Sequence, residues 1–181
     1  MTDSKPAIEE VSGYLGVGSL ELLGIFFILD GISEFLEFIE IYAKTSTWAV
    51  LVTVPALVVA YVIGVFSSLG AEIVLSRYMR PILTPELFAY VTSSKNEQLV
   101  QRYADAERHS RLLYGCSIAF FLLAIGSWLE VRMMGKFGFV GYVGLVAGLG
   151  ISLLCPLLAR YIQAELIPFV EAVRALNATS A

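Results

Sequence analysis

Residues 48–69, WAVLVTVPALVVAYVIGVFSSL, decide the fold of this chain, because they form a long apolar run without a single charge. A helix that crosses a membrane needs about 20 predominantly apolar residues to pass roughly 30 Å of hydrocarbon. Two further uncharged runs, residues 112–129 (LLYGCSIAFFLLAIGSWL) and 137–159 (FGFVGYVGLVAGLGISLLCPLLA), meet the same requirement. We therefore predict a second span at residues 48–69, a third at 112–131 and a fourth at 137–159.

The first span is predicted at residues 14–43, a hydrophobic run that is interrupted by acidic side chains. Because a helix turns by about 100° per residue, Asp30, Glu34 and Glu37 fall within about 60° of one another. This period indicates a helix, whereas the strands of membrane barrels are about ten residues long and alternate in polarity. The fold class that follows is all-α, a polytopic membrane protein with four transmembrane helices.

Composition agrees with this fold class and indicates one membrane domain over residues 1–181. Hydrophobic residues make up 57% and charged residues 15% of the chain, against roughly 45–50% and about 25% in soluble domains. The first forty residues hold half of the sixteen acids and one base, so direct nucleic-acid binding is not expected. The polar opening, MTDSKPAIEE, lacks the features of a secretory signal peptide, and we expect the first span to be retained.

Orientation follows from the basic residues, which are enriched in cytoplasmic loops. Residues 76–111 form a basic segment, and placing it in the cytoplasm brings nine of the twelve bases inside. The N-terminal residues 1–13 and the C-terminal residues 160–181 are then cytoplasmic as well. The predicted location is the bacterial inner membrane.

The basic segment also carries helix signals. Thr84 followed by Pro85 starts a short helix that we expect to run to about Thr92. Ser94 and Glu97 have the spacing of a capping box and predict a second helix. This helix runs without a breaker into the third span, giving one helix of about 35 residues or about 50 Å. The membrane bundle is therefore expected to protrude into the cytoplasm.

Small residues recur along the second and fourth spans, and small residues let helices approach closely in lipid. These ridges serve either packing within one chain or contact between copies in a homo-oligomer, and both remain open. Their residues are Ala56, Ala60, Gly64 and Ser68 in the second span, and Gly141, Gly144, Gly148 and Ser152 in the fourth.

The acidic stripe of Asp30, Glu34 and Glu37 has two readings, which depend on membrane depth. If the first span enters the bilayer near Tyr14, the stripe is a solvated helix end. If it enters near Leu22, Asp30 lies close to mid-membrane and the stripe would line an ion pathway or a cation-attracting vestibule. Glu21 lies nearly opposite the stripe and is expected to be a separate interfacial acid.

Basic residues beside the spans are candidates for binding a partner or lipid headgroups. The competing interpretation is ordinary ion pairing on a solvated helix, Glu107 with Arg111 and Asp105 with His109, four residues apart. The candidates are Arg77, Arg80, Arg102, Arg108, His109 and Arg111.

No catalytic, cofactor or metal motif is found, and the chain is not expected to be an enzyme. Cys116 and Cys155 lie in apolar runs and are expected to be free thiols. The plan of four spans with a helical cytoplasmic segment is similar to that of membrane subunits in several bacterial multi-gene systems, including some phage-defence systems. We expect a homo-oligomeric sensor or effector scaffold that binds a soluble cytoplasmic protein; the alternatives are an ion-conducting pore or membrane-permeabilising effector, and a small transporter subunit.

Overall fold

The computed structural model describes residues 4–33, 46–78, 85–94, 96–134 and 138–179, and these residues are helical apart from two short connecting residues, Ser94 and Asn96. The helices are α1 (Ser4–Ser33), α2 (Ser46–Tyr78), α3 (Pro85–Ser93), α4 (Glu97–Leu129) and α5 (Gly138–Thr179). A π-helical turn, Glu130–Met134, continues α4. The all-helical fold class is confirmed for the described part of the chain, which contains no strand.

Four of the described helices are long and apolar enough to cross a membrane. Their candidate spans are Ile8–Ser33, Val52–Leu75, Glu97–Arg132 and Gly141–Ala175. Their exposed faces carry large apolar side chains, among them Phe66 and Leu153, whereas the buried face of α4 is rich in small and polar residues such as Ser117 and Gly126. This distribution is the one expected when lipid, rather than water, surrounds the helices.

Helix α4 is central and contacts each of the other four helices. Helices α1 and α2 pack against each other and against α4, while α5 lies mainly along α4. Tyr114 of α4 is buried between Ala71 of α2 and Ala159 of α5. Since α2 and α5 barely touch elsewhere, a groove remains between them.

One end of the bundle gathers the start of α1, the end of α2, all of α3, the start of α4 and the end of α5; we call it the extended end. Contacts of Glu10 and Glu72 with the first half of α4 establish this arrangement. At about 1.5 Å per residue, the 33 residues of α4 measure about 50 Å and the 42 residues of α5 about 60 Å. Both exceed the roughly 30 Å of a bilayer's hydrocarbon, so both would project beyond it at this end.

The helices extend beyond the predicted spans. The first helix is described from Ser4 onward, and its candidate span starts at Ile8. Asn96, not Ser94, caps α4, because its side chain accepts hydrogen bonds from the backbone N–H groups of Gln98 and Leu99. The fourth helix continues through Pro156 and Pro168 to Thr179, and neighbouring helices can satisfy the carbonyls that prolines free.

Candidate functional site

The extended end has an apolar core of its own, which we call the platform core. Leu87 and Val91 are four residues apart on α3 and therefore share a face. They pack with Leu99 of α4 and Val170 of α5, and the exposed fractions of the four side chains run from 7% down to 0%. The short helix predicted from Thr84 and Pro85 is present as α3, and this core is what fixes it to the two long helices.

The platform core carries aromatic and basic side chains on its outer surface. Phe88 is 47% exposed, and its ring meets that of Tyr103 edge-on with the ring centroids 6.0 Å apart. The guanidinium of Arg102 lies 4.3 Å from the centre of the Phe169 ring, a cation–π contact. Exposed aromatic and arginine side chains of this kind are enriched at protein interfaces.

The two arginines nearest the third span are engaged by acids from other helices. Arg111 Nε lies 2.8 Å from Glu72 Oε2 on α2, and its Nη2 lies 3.2 Å from Glu107 Oε1. Arg108 lies 3.7 Å from Glu10 of α1. The Glu107–Arg111 pair was predicted from spacing, whereas the pairs that join helices were not. These ion pairs thus join α4 to α1 and to α2 at the extended end.

His109 is exposed, and its Nδ1 lies 2.6 Å from the backbone oxygen of Asp105. Because a carbonyl oxygen can only accept, Nδ1 donates this hydrogen bond. The expected contact with the Asp105 carboxylate is therefore replaced by one to its backbone, and the carboxylate lies 3.8 Å from Arg108 instead. Of the two predicted flank arginines, Arg77 lies in the last turn of α2 and Arg80 lies outside the described residues.

Within the predicted acidic stripe, Asp30 is described, and Glu34 and Glu37 lie outside the described residues. Asp30 is only 3% exposed, while Ile32 beside it is 68% exposed. At this level of α1 the side that carries Asp30 therefore faces the protein and the side that carries Ile32 faces outward.

Glu21 is a buried acid whose packing the sequence interpretation did not predict. It lies within the candidate span Ile8–Ser33 and is 1% exposed, because neighbouring helices cover it. Ser67 of α2 donates a hydrogen bond to Glu21 Oε1. A signal was available: Gly18 and Gly24, three residues away on either side, put Glu21 on the close-packing face of α1.

The predicted ridge on α2 packs mainly against α1 of the same chain. A Cβ atom on Gly64 would clash with the backbone oxygen of Tyr14 and lie 2.9 Å from the backbone nitrogen of Gly18. Ala60 and Ser68 are buried along the same ridge, and Ala56 is half-buried. This arrangement is packing within one chain.

The predicted ridge on α5 packs against α4. A Cβ atom on Gly148 would lie 2.9 Å from the backbone oxygen of Phe120, and one on Gly144 would lie 2.7 Å from Ser127 Oγ. Ser117 Oγ donates to the backbone oxygen of Ser152 over 2.7 Å. Gly141 lines a cavity of about 190 Å³ that Glu130 also lines. The ridge on α5 thus brings α5 close to α4, as the ridge on α2 brings α2 close to α1.

The groove between α2 and α5, which we call the α2–α5 groove, has a volume of about 520 Å³. Hydroxyl groups of Ser67, Ser117 and Ser152 line it together with apolar side chains such as Phe121. Cys116 and Cys155 are free thiols, as expected. Among the described residues, no group of three or more histidine, cysteine or acidic side chains is arranged to hold a metal ion.

Comparisons with models of known protein families, with curated proteins and with solved structures found no match. We therefore infer the function from the geometry of this chain.

Proposed function

We propose that this chain is an inner-membrane scaffold that presents the platform at its extended end to a soluble cytoplasmic protein. The observation that carries the proposal is the platform core, in which α3 packs on the ends of two long helices to form a separate apolar cluster. A helix as short as the nine residues of α3 is not stable alone. Its packing here creates a defined surface.

The surface of the platform suits a protein better than a lipid headgroup. Phe88 and Val100 expose 47% and 42% of their side chains, and Arg102 is held over Phe169. Two of the arginines proposed to attract phosphates, Arg108 and Arg111, are engaged by Glu10 and Glu72. Exposed aromatic and arginine side chains of this kind favour a protein partner.

The alternative of an ion-conducting pore would require acidic side chains on a shared axis between copies. Asp30 is 3% exposed and packs inside the single chain, so a mouth built from several copies would not be lined by it. A small transporter would require a central substrate site, and the cavity near Glu130 has a volume of about 190 Å³, below that of most sites for organic molecules. We therefore favour the scaffold.

Homo-oligomerisation stays part of the proposal on a different surface from the one predicted. The ridges around Gly64 and Gly148 are used within the chain. Another face of α2 stays available for contact between copies, since Val58 and Val62 are 59% and 44% exposed. Packing of a second copy there does not occupy the α2–α5 groove.

Site-specific photocrosslinking in native membranes tests the scaffold. A photoreactive amino acid replaces Phe88 on the platform, and in the matched control it replaces Leu153, which is 71% exposed on the lipid-facing part of α5. We expect Phe88 alone to give an adduct with a soluble protein, and that protein to bind purified wild-type chain more tightly than the Phe88→Ser variant. Equal adducts at both positions, or none at Phe88, would count against the proposal.

A further inference from the structure

Glu21 occupies a position that the scaffold function does not require. It lies within the candidate span Ile8–Ser33 and is 1% exposed. The glycines on either side bring other helices against it: Gly18 contacts the backbone of α2 at Ala60, and a Cβ atom on Gly24 would lie 2.9 Å from the backbone nitrogen of Leu123 on α4. The carboxyl group is thus enclosed by three helices.

The surroundings of Glu21 are polar but contain no counter-charge. Ser67 donates a hydrogen bond to Glu21 Oε1. The next hydroxyl, Ser68 Oγ, is fully buried against Gly115 and has no hydrogen-bond partner among the described residues. Within that part of the chain, no lysine, arginine or histidine forms an ion pair with Glu21.

An ionised carboxylate without a cation is costly when it is removed from water, and costlier still at membrane depth. A protonated carboxyl is neutral and keeps one donor and one acceptor for hydrogen bonds. The chemistry that best fits the site is therefore a carboxyl group that holds a proton. A metal ion fits less well, because the described residues offer no group of three or more metal-ligating side chains.

A route to the carboxyl group is present. Ser67, which donates to Glu21, also lines the α2–α5 groove of about 520 Å³. The same groove carries the hydroxyls of Ser117 and Ser152. On α4 the nearest titratable residue to Gly115, which packs against Ser68, is Cys116; α2 contributes Ser67 and Ser68. Hydroxyl groups on the groove wall are the side chains that can pass a proton inward.

We propose that Glu21 is an intramembrane proton-binding site, reached through the α2–α5 groove and positioned by Ser67. This site lies in the apolar part of the bundle, away from the platform, and does not depend on the scaffold function.

The test is modification of the full-length chain, reconstituted in liposomes, by dicyclohexylcarbodiimide. The carboxyl proton of a neutral carboxyl moves to one nitrogen of the carbodiimide, and the carboxyl oxygen bonds to the central carbon. Acyl transfer to nitrogen then gives a stable N-acylurea, without loss of any atom. Peptide mass spectrometry locates the adduct, from about pH 5 to about pH 9. We expect an adduct at Glu21 whose yield falls as the pH rises.

Matched variants keep the test decisive. Glu21→Gln should remove the adduct. Ser67→Ala should change the labelling rate at fixed pH by roughly fivefold, the equivalent of one net hydrogen bond, whereas Ser19→Ala should not, since Ser19 bonds only to the backbone of its own helix at Leu15. If Glu21→Gln fails to fold, the pH series with the wild-type chain and the comparison of Ser67→Ala with Ser19→Ala still test the proposal.

Two results would overturn the proposal. One is the absence of any Glu21 adduct over the whole pH range in folded protein. The other is protection of Glu21 by sodium ions at constant ionic strength, which would assign the site to a metal cation instead of a proton.

Discussion

Gly18 of α1 and Gly64 of α2 face each other so closely that a Cβ atom on Gly18 would lie 2.8 Å from the backbone nitrogen of Gly64, and one on Gly64 would lie 2.9 Å from that of Gly18. Real Cβ atoms essentially never approach backbone so closely, and a backbone cannot swing aside as a long side chain can. The crossing of α1 and α2 therefore requires glycine at both positions.

We expect Gly18→Ala or Gly64→Ala to destabilise the bundle by about 1–3 kcal/mol, because the added methyl group forces two backbones apart. The control is Gly16→Ala on the same helix, where a Cβ atom would meet nothing within 4 Å; it should be neutral or stabilising by up to about 1 kcal/mol. Unfolding in mixed detergent micelles measures both. Equal effects of Gly16→Ala and Gly18→Ala would contradict the close crossing.

The pair between Arg111 and Glu72 should contribute more than ordinary surface pairing. The two side chains are 27% and 30% exposed and join α4 to α2 over 2.8 Å. A double-mutant cycle with Arg111→Gln and Glu72→Gln should give a coupling energy of about 1 kcal/mol. The cycle with Glu107→Gln, whose side chain is 43% exposed and lies on the same helix, should give about 0.5 kcal/mol or less. The opposite ranking would show that Glu72 does not join the helices.

Leu99→Ala should unfold the platform while leaving the rest of the bundle assembled. Leu99 is fully buried in the platform core, and truncation of a buried leucine costs about 2–5 kcal/mol. Its neighbour Val100 is 42% exposed, so Val100→Ala is the control and should cost about 0.5 kcal/mol or less. Hydrogen exchange should rise in α3 for Leu99→Ala alone. Uniform loss of protection across all helices would mean that the platform is not a separate cluster.

Asn96→Ala should loosen the start of α4, since the Asn96 side chain accepts from the backbone N–H groups of Gln98 and Leu99. Loss of an N-cap costs about 1 kcal/mol. Amide exchange of Gln98 and Leu99 should accelerate by roughly fivefold. Ser94→Ala, at the position predicted from sequence to be the cap, should have the smaller effect; the reverse order would restore Ser94 as the cap.

Local sequence patterns predicted the features that depend on local chemistry. Uncharged runs located the later long helices, Pro85 located the start of α3, and spacing predicted the Glu107–Arg111 pair. The small residues around Gly64 and Gly148 correctly identified packing faces. Which helix each face would meet could not be predicted, because that choice depends on how four similar apolar helices arrange themselves.

The features that sequence reasoning missed depend on that arrangement. Glu72 lies 39 residues before Arg111, and no periodicity connects them. Glu21 was placed at the interface because an acid in an apolar run resembles a span boundary, and its burial follows only from the approach of α2 and α4 on either side.

We propose that the chain crosses the membrane four times and that its extended end lies in the cytoplasm. Cysteine accessibility measures this topology. Single cysteines replace Phe88 on the platform and Val58 within the second candidate span, in a chain whose Cys116 and Cys155 are changed to serine. A membrane-impermeant maleimide is then applied to intact cells and to inverted membrane vesicles. We expect the maleimide to label Phe88→Cys in inverted vesicles only, and to label Val58→Cys in neither preparation. Labelling of Phe88→Cys in intact cells, or of Val58→Cys in either preparation, would contradict it.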